Sequence, residues 1–258
     1  IVKLLFLMFA MINLNAQALS LFEKELFVYK NDTLKYRILK PLNFDSNKKY
    51  PVHLFLHGAG EVGDDNELQL THGAELFLKK ENRINYNSWV IFPQCAKNDY
   101  WANMVYVPEN NESLVQIKKK NTVNLSLGLV IQLMDTFIEQ NNVDKNRIYV
   151  SGLSMGGMGT FEILHRRPEM FAAATPICGD GIEEYAKIYA KKVPLWIFHG
   201  SDDTVVSPKY SLKMAKAIIE AGGSPKITFY ENVGHDSWNN AFEEKDFLKW
   251  IHSKSKTK

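Results

Sequence analysis

Arg147-Ile148-Tyr149-Val150-Ser151-Gly152-Leu153-Ser154-Met155-Gly156-Gly157 decides how the rest of the chain is read. Ile148, Tyr149 and Val150 are β-branched or aromatic and predict a short strand, after which Met158, Phe161, Ile163 and Leu164 recur at helical spacing. Between the two stands Gly152-Leu153-Ser154-Met155-Gly156, a G-x-S-x-G pattern. A strand that turns into a helix within so few residues holds its serine in strained backbone geometry, with the hydroxyl displayed at the tip of the turn. Glycines at 152 and 156 remove the side chains that would collide where strand and helix close around it. Ser154 is therefore a candidate nucleophile.

Strands and helices alternate on both sides of this turn. Leu26–Tyr29 and Leu34–Leu39 read as two strands joined at Asn31-Asp32, and Val52–Leu56 and Trp89–Pro93 as strands buried on both faces. Residues 66–80 fit an amphipathic helix interrupted by Gly73, and Leu125–Gln140 a longer one. Beyond the serine, Phe171–Gly179, Leu195–Phe198 and Ile227–Tyr230 read as strands. Ile182–Ala190, the segment from Ser207-Pro208 to Gly222-Gly223, and Ala241–His252 read as helices. Such alternation predicts an α/β fold, a doubly wound and mostly parallel sheet that begins with an antiparallel hairpin. Residues 96–124 lack sustained periodicity and are long for a connection, the profile of an insertion that serves as a lid or substrate loop.

The 258 residues suffice for one such domain, and 45% hydrophobic with 23% charged content excludes a disordered chain. A net charge of +2 from 31 basic and 29 acidic residues gives no reason to invoke nucleic acid or an anionic membrane as partner. Lys3, the apolar run Leu4–Leu14 and the small residues of Ala16-Gln17-Ala18 follow the order of a secretory signal peptide over residues 1–18, too short to span a membrane. The expectation is a secreted or periplasmic protein whose single domain occupies residues 19–258.

Three loops, each after a strand, supply Ser154, Asp202 or Asp203, and His235. A serine hydroxyl is a weak nucleophile until an imidazole takes its proton, and the imidazole needs a carboxylate on its other nitrogen to fix the tautomer. The oxyanion that forms needs donors already in place, for which the backbone N–H groups of Met155 and of Ala59, in the glycine-rich turn after the third strand, are candidates. His57 reads as orienting that turn, and His72 and His199 as turn or core histidines. Trp101, Leu153 and Trp238 are candidates to line the substrate site. No set of residues reads as a metal site, and no organic cofactor is expected.

With these segments in hand the chain resembles a known group. His57-Gly58-Ala59-Gly60-Glu61-Val62-Gly63-Asp64-Asp65-Asn66, Pro93-Gln94-Cys95, the serine turn, Pro176-Ile177-Cys178-Gly179, Phe198-His199-Gly200 and Gly234-His235-Asp236-Ser237-Trp238 are similar to the α/β-hydrolase esterases often labelled predicted peptidases. That branch resembles phospholipase/carboxylesterases, dienelactone hydrolases and feruloyl and acetyl-xylan esterases. The resemblance implies an eight-stranded α/β-hydrolase fold, an H-G-x-x-D pattern that falls on Asp203, and a serine esterase acting through an acyl-enzyme on small-molecule or polysaccharide-linked esters. Val62 stands where the group usually has arginine. The implied strand order 1-2-4-3-5-6-7-8 separates Cys95 from Cys178 by about 14 Å, at about 4.8 Å per strand. A bridge needs Cα atoms within roughly 7 Å, so two free, buried thiols are expected. A peptidase with the same residues is the alternative reading, and a non-catalytic carbohydrate-binding protein a more distant one.

Overall fold

The computed structural model describes residues 19–109, 112–119, 121–140 and 142–256; the expected signal segment lies outside them. Eight strands form the main sheet in the order β1 (Phe22–Tyr29), β2 (Asp32–Leu39), β4 (Trp89–Pro93), β3 (Tyr50–Leu56), β7 (Val143–Leu153), β8 (Ala173–Ile177), β9 (Trp196–Gly200) and β10 (Lys226–Tyr230). β2 pairs antiparallel with both β1 and β4, and every pair from β4 to β10 is parallel. This is the α/β-hydrolase fold, in the implied strand order.

The two-residue period of the central strands separates two cores. Val52, Leu54 and Leu56 of β3, with Ile148 and Val150 of β7, pack against the helices Leu125–Gln140 and Met155–Arg166. Phe55 and Tyr149 point the other way, towards Phe77, Phe247, Leu248 and Ile251. A polar row crosses the sheet on this second face. His53 Nε2 lies 2.7 Å from Ser151 Oγ, which also bonds the Thr175 hydroxyl. Both cysteines are free and buried, as the strand order required.

Four local expectations are corrected. The first hairpin turns at Lys30-Asn31 rather than Asn31-Asp32, with Lys30 at φ 56°. Residues 66–80 are not one helix, because Gly73 adopts φ 85° between the short turn Leu68–Leu70 and the helix Ala74–Leu78. A Cβ there would lie 2.7 Å from the Phe55 ring, so the break is enforced by packing as well as by backbone. The C-terminal helix is also two, Trp238–Glu243 and Phe247–His252, and its first turn begins before Ala241. Residues 96–124 contain a second, two-stranded sheet, β5 (Met104–Glu109) with β6 (Glu112–Ile117). At its base Met104 and Ile117 pack on Ala102, Met158 and Val206, which anchors the hairpin beside the serine turn.

That turn tolerates no added atoms. A Cβ on Gly156 would stand 1.9 Å from the Leu56 carbonyl oxygen, and one on Gly152 2.1 Å from the Gly156 oxygen. Relief requires moving β3 away from the helix in the first case and β7 in the second, since both obstacles are backbone. Gly156→Ala is expected to destabilise the fold by about 3 kcal/mol or more, read as a large fall in Tm or loss of soluble protein; a Tm within two degrees of the parent's contradicts this close approach.

Candidate active site

Ser154 sits at the end of β7 with φ 53° and ψ −117°, a conformation that non-glycine residues rarely adopt. Its N–H donates to the Ile177 carbonyl at 2.9 Å, which ties the turn to the neighbouring strand. The strain turns the hydroxyl towards the carboxyl ends of the parallel strands, where α/β sheets hold their ligands. Two further loops arrive at that edge. The loops after β9 and β10 are joined where the Asp202 N–H meets the Val233 carbonyl at 2.9 Å. Gly200 permits this approach, because a Cβ there would lie 2.3 Å from both the Val233 and the Gly234 oxygen.

The joined loops set a relay. His235 Nε2 lies 2.9 Å from Ser154 Oγ and His235 Nδ1 2.8 Å from Asp203 Oδ2. Asp202 is exposed and accepts from the Ser201 hydroxyl, so the carboxylate facing the imidazole is Asp203. Asp203 has no exposed side-chain surface, and all its contacts are donors. The N–H groups of Val205 and Val206 reach Oδ1 at 2.8 and 2.9 Å, and His199 Nε2 lies 3.1 Å from Oδ2. Burial by itself raises the pKa of this carboxyl, but hydrogen bonds from His199, His235 and Val206 outweigh it and hold the group well below the usual carboxylate range. Asp203 is thus a permanent anion, and Nδ1 of His235 carries the proton. That leaves Nε2 as an acceptor aimed at the serine hydroxyl.

The two candidate oxyanion donors begin helical turns. Met155 is the first residue of the elbow helix and Ala59 the first of the turn Ala59–Glu61 after β3. Neither N–H donates to an acceptor among the described residues, as expected of first-turn amides. His57 fixes the Ala59 loop. Its Nδ1 lies 2.6 Å from the Gly58 carbonyl, and its Nε2 accepts from the Cys95 N–H at 2.9 Å, which defines a neutral Nδ1–H ring. Burial pushes this imidazole down to about 4. Burial likewise lowers His252 to about 3 and His53 well below the ordinary value.

These depressed histidines predict acid sensitivity. Unfolded, each binds a proton near pH 6.5, while folded it stays neutral, so stability falls as pH drops from 6.5 towards the folded values. At about 1.4 kcal/mol per unit, His57 alone removes roughly 3 kcal/mol by pH 4. Calorimetry should show Tm falling by about ten degrees between pH 7 and pH 4.5; a level Tm across that window contradicts these neutral, buried rings.

Two of the three lining candidates are corrected. Trp101 is fully buried, its Nε1 donating 3.0 Å to the His57 carbonyl and its ring 5.1 Å from the His57 ring. It braces the Ala59 loop from within the core and meets no substrate. Leu153 is 1% exposed and packs beneath Gly58, where a Cβ would stand 2.9 Å from its Cδ1. Trp238 is half-buried, edge-on to His235 at 5.4 Å and 5.2 Å from the His72 ring, so it does border the site. His72 Nε2 lies 3.7 Å from Glu61 Oε1, and burial raises the Glu61 carboxyl from its ordinary value. His199, read from sequence as a turn or core residue, is fully buried, and its contact with Asp203 is what that reading did not include. Its spacing of four from Asp203 was the available signal.

Metal-ligating atoms of Cys178, Asp203 and His235 lie within 4.8 Å of one another, the one such group of three among the described residues. Burial pushes the Cys178 thiol far above its ordinary value, so this sulfur is protonated, and the other two groups are bonded to each other.

Residues 44–252 match the phospholipase/carboxylesterase family. The chain belongs to the phospholipase/carboxylesterase family. Among this esterase-type chain's relatives is acyl-protein thioesterase 1 homolog 2 of Dictyostelium discoideum, 29% identical over 162 residues, 60% of this chain and 67% of that protein. A solved thermostable esterase superposes with a TM-score of 0.84 at 31% identity. The match covers 93% of this chain, which spans 64% of that structure's length. A ferulic acid esterase, at 16% identity and a TM-score of 0.67 over 90% of this chain and 97% of its own, shares the fold.

Proposed function

We propose that this protein is an exported serine carboxylesterase, and the observation that carries the reading is the unbroken path Ser154 Oγ, His235, Asp203 at 2.9 and 2.8 Å. Family membership supports carboxylic ester hydrolysis in general. The Ser154 oxygen attacks the ester carbonyl as His235 Nε2 accepts its proton, while Asp203 holds the resulting imidazolium. The N–H groups of Ala59 and Met155 receive the oxyanion, each worth about 3–4 kcal/mol in the transition state. Collapse expels the alcohol, which takes the proton from His235. Water, activated by the same imidazole, then clears the acyl group from Ser154.

Only 20% of the His235 side chain is exposed and none of that of Asp203, so proton traffic runs through the serine side. As substrate class we propose acyl or feruloyl esters carried on polysaccharides. Export through residues 1–18 and the half-buried Trp238 ring beside His235, an apolar face for a sugar or phenolic ring, support it.

Initial rates on 4-nitrophenyl acetate, methyl ferulate and acetylated xylan, set against peptide 4-nitroanilides, test the reaction class. Ester turnover that disappears in Ser154→Ala is expected; anilide turnover equal to that of the esters makes the protein a peptidase instead. Export is tested by N-terminal sequencing of the secreted chain, which should begin after Ala18.

A further inference from the structure

His199 is fully buried at the end of β9, and its Nε2 faces the acid of the relay. Its Nε2 faces two acceptors, Asp203 Oδ2 at 3.1 Å and the Val206 carbonyl at 2.8 Å, so Nε2 must carry a proton. Val206 is the residue whose N–H holds the other carboxylate oxygen of Asp203. On the far side, Nδ1 lies 2.7 Å from Ser211 Oγ, which in turn lies 3.3 Å from the Gly179 carbonyl. A single hydroxyl proton serves either direction: towards Nδ1, or towards Gly179 when Nδ1 is itself protonated. The ring therefore always presents N–H to Asp203.

Two imidazoles thus share one carboxylate oxygen. His235 binds it from the loop after β10 at 2.8 Å, and His199 from β9 at 3.1 Å. Among the described residues, the remaining titratable neighbour of Asp203 is the protonated Cys178 thiol from the end of β8, on which Asp203 and Asp236 both act. A carboxylate divides its hydrogen-bonding strength among its donors. What His199 takes is withheld from His235, and what His199 fixes is the carboxylate plane that aims His235 at Ser154.

We propose that His199 is a positioning residue of the relay, which holds the Asp203 carboxylate in its working rotamer and sets how strongly that carboxylate pulls on the His235 proton. This rests on the esterase reading above. Without the His199 donor, Asp203 is a stronger base towards His235 Nδ1–H, the imidazolium is favoured, and the serine relay is active only at higher pH. His199 touches no substrate, so KM is unaffected.

The test is the pH profile of kcat/KM on 4-nitrophenyl acetate for the wild type, His199→Leu and His199→Gln, with Tm recorded for each. The Leu variant is expected to move the acid limb upward by about half to one pH unit and to lower kcat roughly ten-fold, with KM unchanged. The Gln variant, which keeps an N–H donor at the Nε2 position, is expected to restore the limb to within a few tenths of a unit. A folded Leu variant with the wild-type limb overturns the proposal, as does an equal shift in both variants. Should the Leu variant fail to fold, Ser211→Ala carries the same readout: a smaller upward shift supports the assignment and an unmoved limb overturns it. Wild-type activity that is absent, or that survives Ser154→Ala, defeats the esterase reading itself and is seen before any His199 variant is compared.

Discussion

Replacing Ser154 by alanine is expected to lower kcat for ester hydrolysis by roughly 10⁴- to 10⁶-fold while leaving the fold intact. The hydroxyl oxygen is the atom 2.9 Å from His235 Nε2, and the relay has no other nucleophile to offer. The Cys178 thiol lies within the same cluster but is buried and held protonated, so it cannot take over. Alanine keeps the Cβ that the backbone already accommodates at φ 53°, and the Ser154 N–H bond to Ile177 needs no side chain. Rates on 4-nitrophenyl acetate with Tm alongside check this: an unchanged Tm with a rate within ten-fold of wild type would place the nucleophile elsewhere.

Asp203→Asn should cost nearly as much, about 10⁴-fold in kcat. The reason lies in how its four donors are arranged. Oδ1 faces the backbone N–H groups of Val205 and Val206, which cannot turn away, so the amide oxygen of an asparagine must take that place. Its NH₂ then points at His235 Nδ1, which is forced to become an acceptor. The proton moves to Nε2, where it faces Ser154 and leaves the imidazole unable to act as base. The same NH₂ also faces the His199 Nε2–H, which keeps only its bond to the Val206 carbonyl; neither change touches substrate, so the loss should appear in kcat with little change in KM. A variant retaining a tenth of wild-type kcat would show that the carboxylate does not set the tautomer.

Part of this arrangement is legible in the sequence alone. The elbow was readable because its chemistry is local: Gly152 and Gly156 flank the serine at the two positions where a Cβ would strike backbone. The buried strands were readable because β3, β4, β8 and β9 are covered on both faces and read as continuous apolar runs. The helix Leu125–Gln140 and the capped helix Pro208–Glu220 carry their own period and termini. The errors fell where distant contacts decide. Gly73 breaks a helix because Phe55, on another element, occupies the adjacent space. Trp101 had the look of a substrate platform, but its indole N–H is drawn 44 residues back along the chain to the His57 carbonyl. The strands of hairpin β5–β6 pair only with each other, and the short apolar run Met104-Val105-Tyr106-Val107 stands alone in an otherwise polar stretch, without the alternation with helices that marks the main sheet. Asp203 and Asp202 are chemically equal in sequence; the junction of the two loops at Gly200 turns one inward and leaves the other in solvent.

The relay itself is tested most directly by mass spectrometry of the protein after reaction with a fluorophosphonate. The wild type should gain one adduct per chain, mapped to the peptide containing Ser154, and His235→Ala should acquire it at least about a thousand-fold more slowly. Wild-type ester turnover with no adduct on Ser154, or labelling at an unchanged rate without His235, would contradict the account.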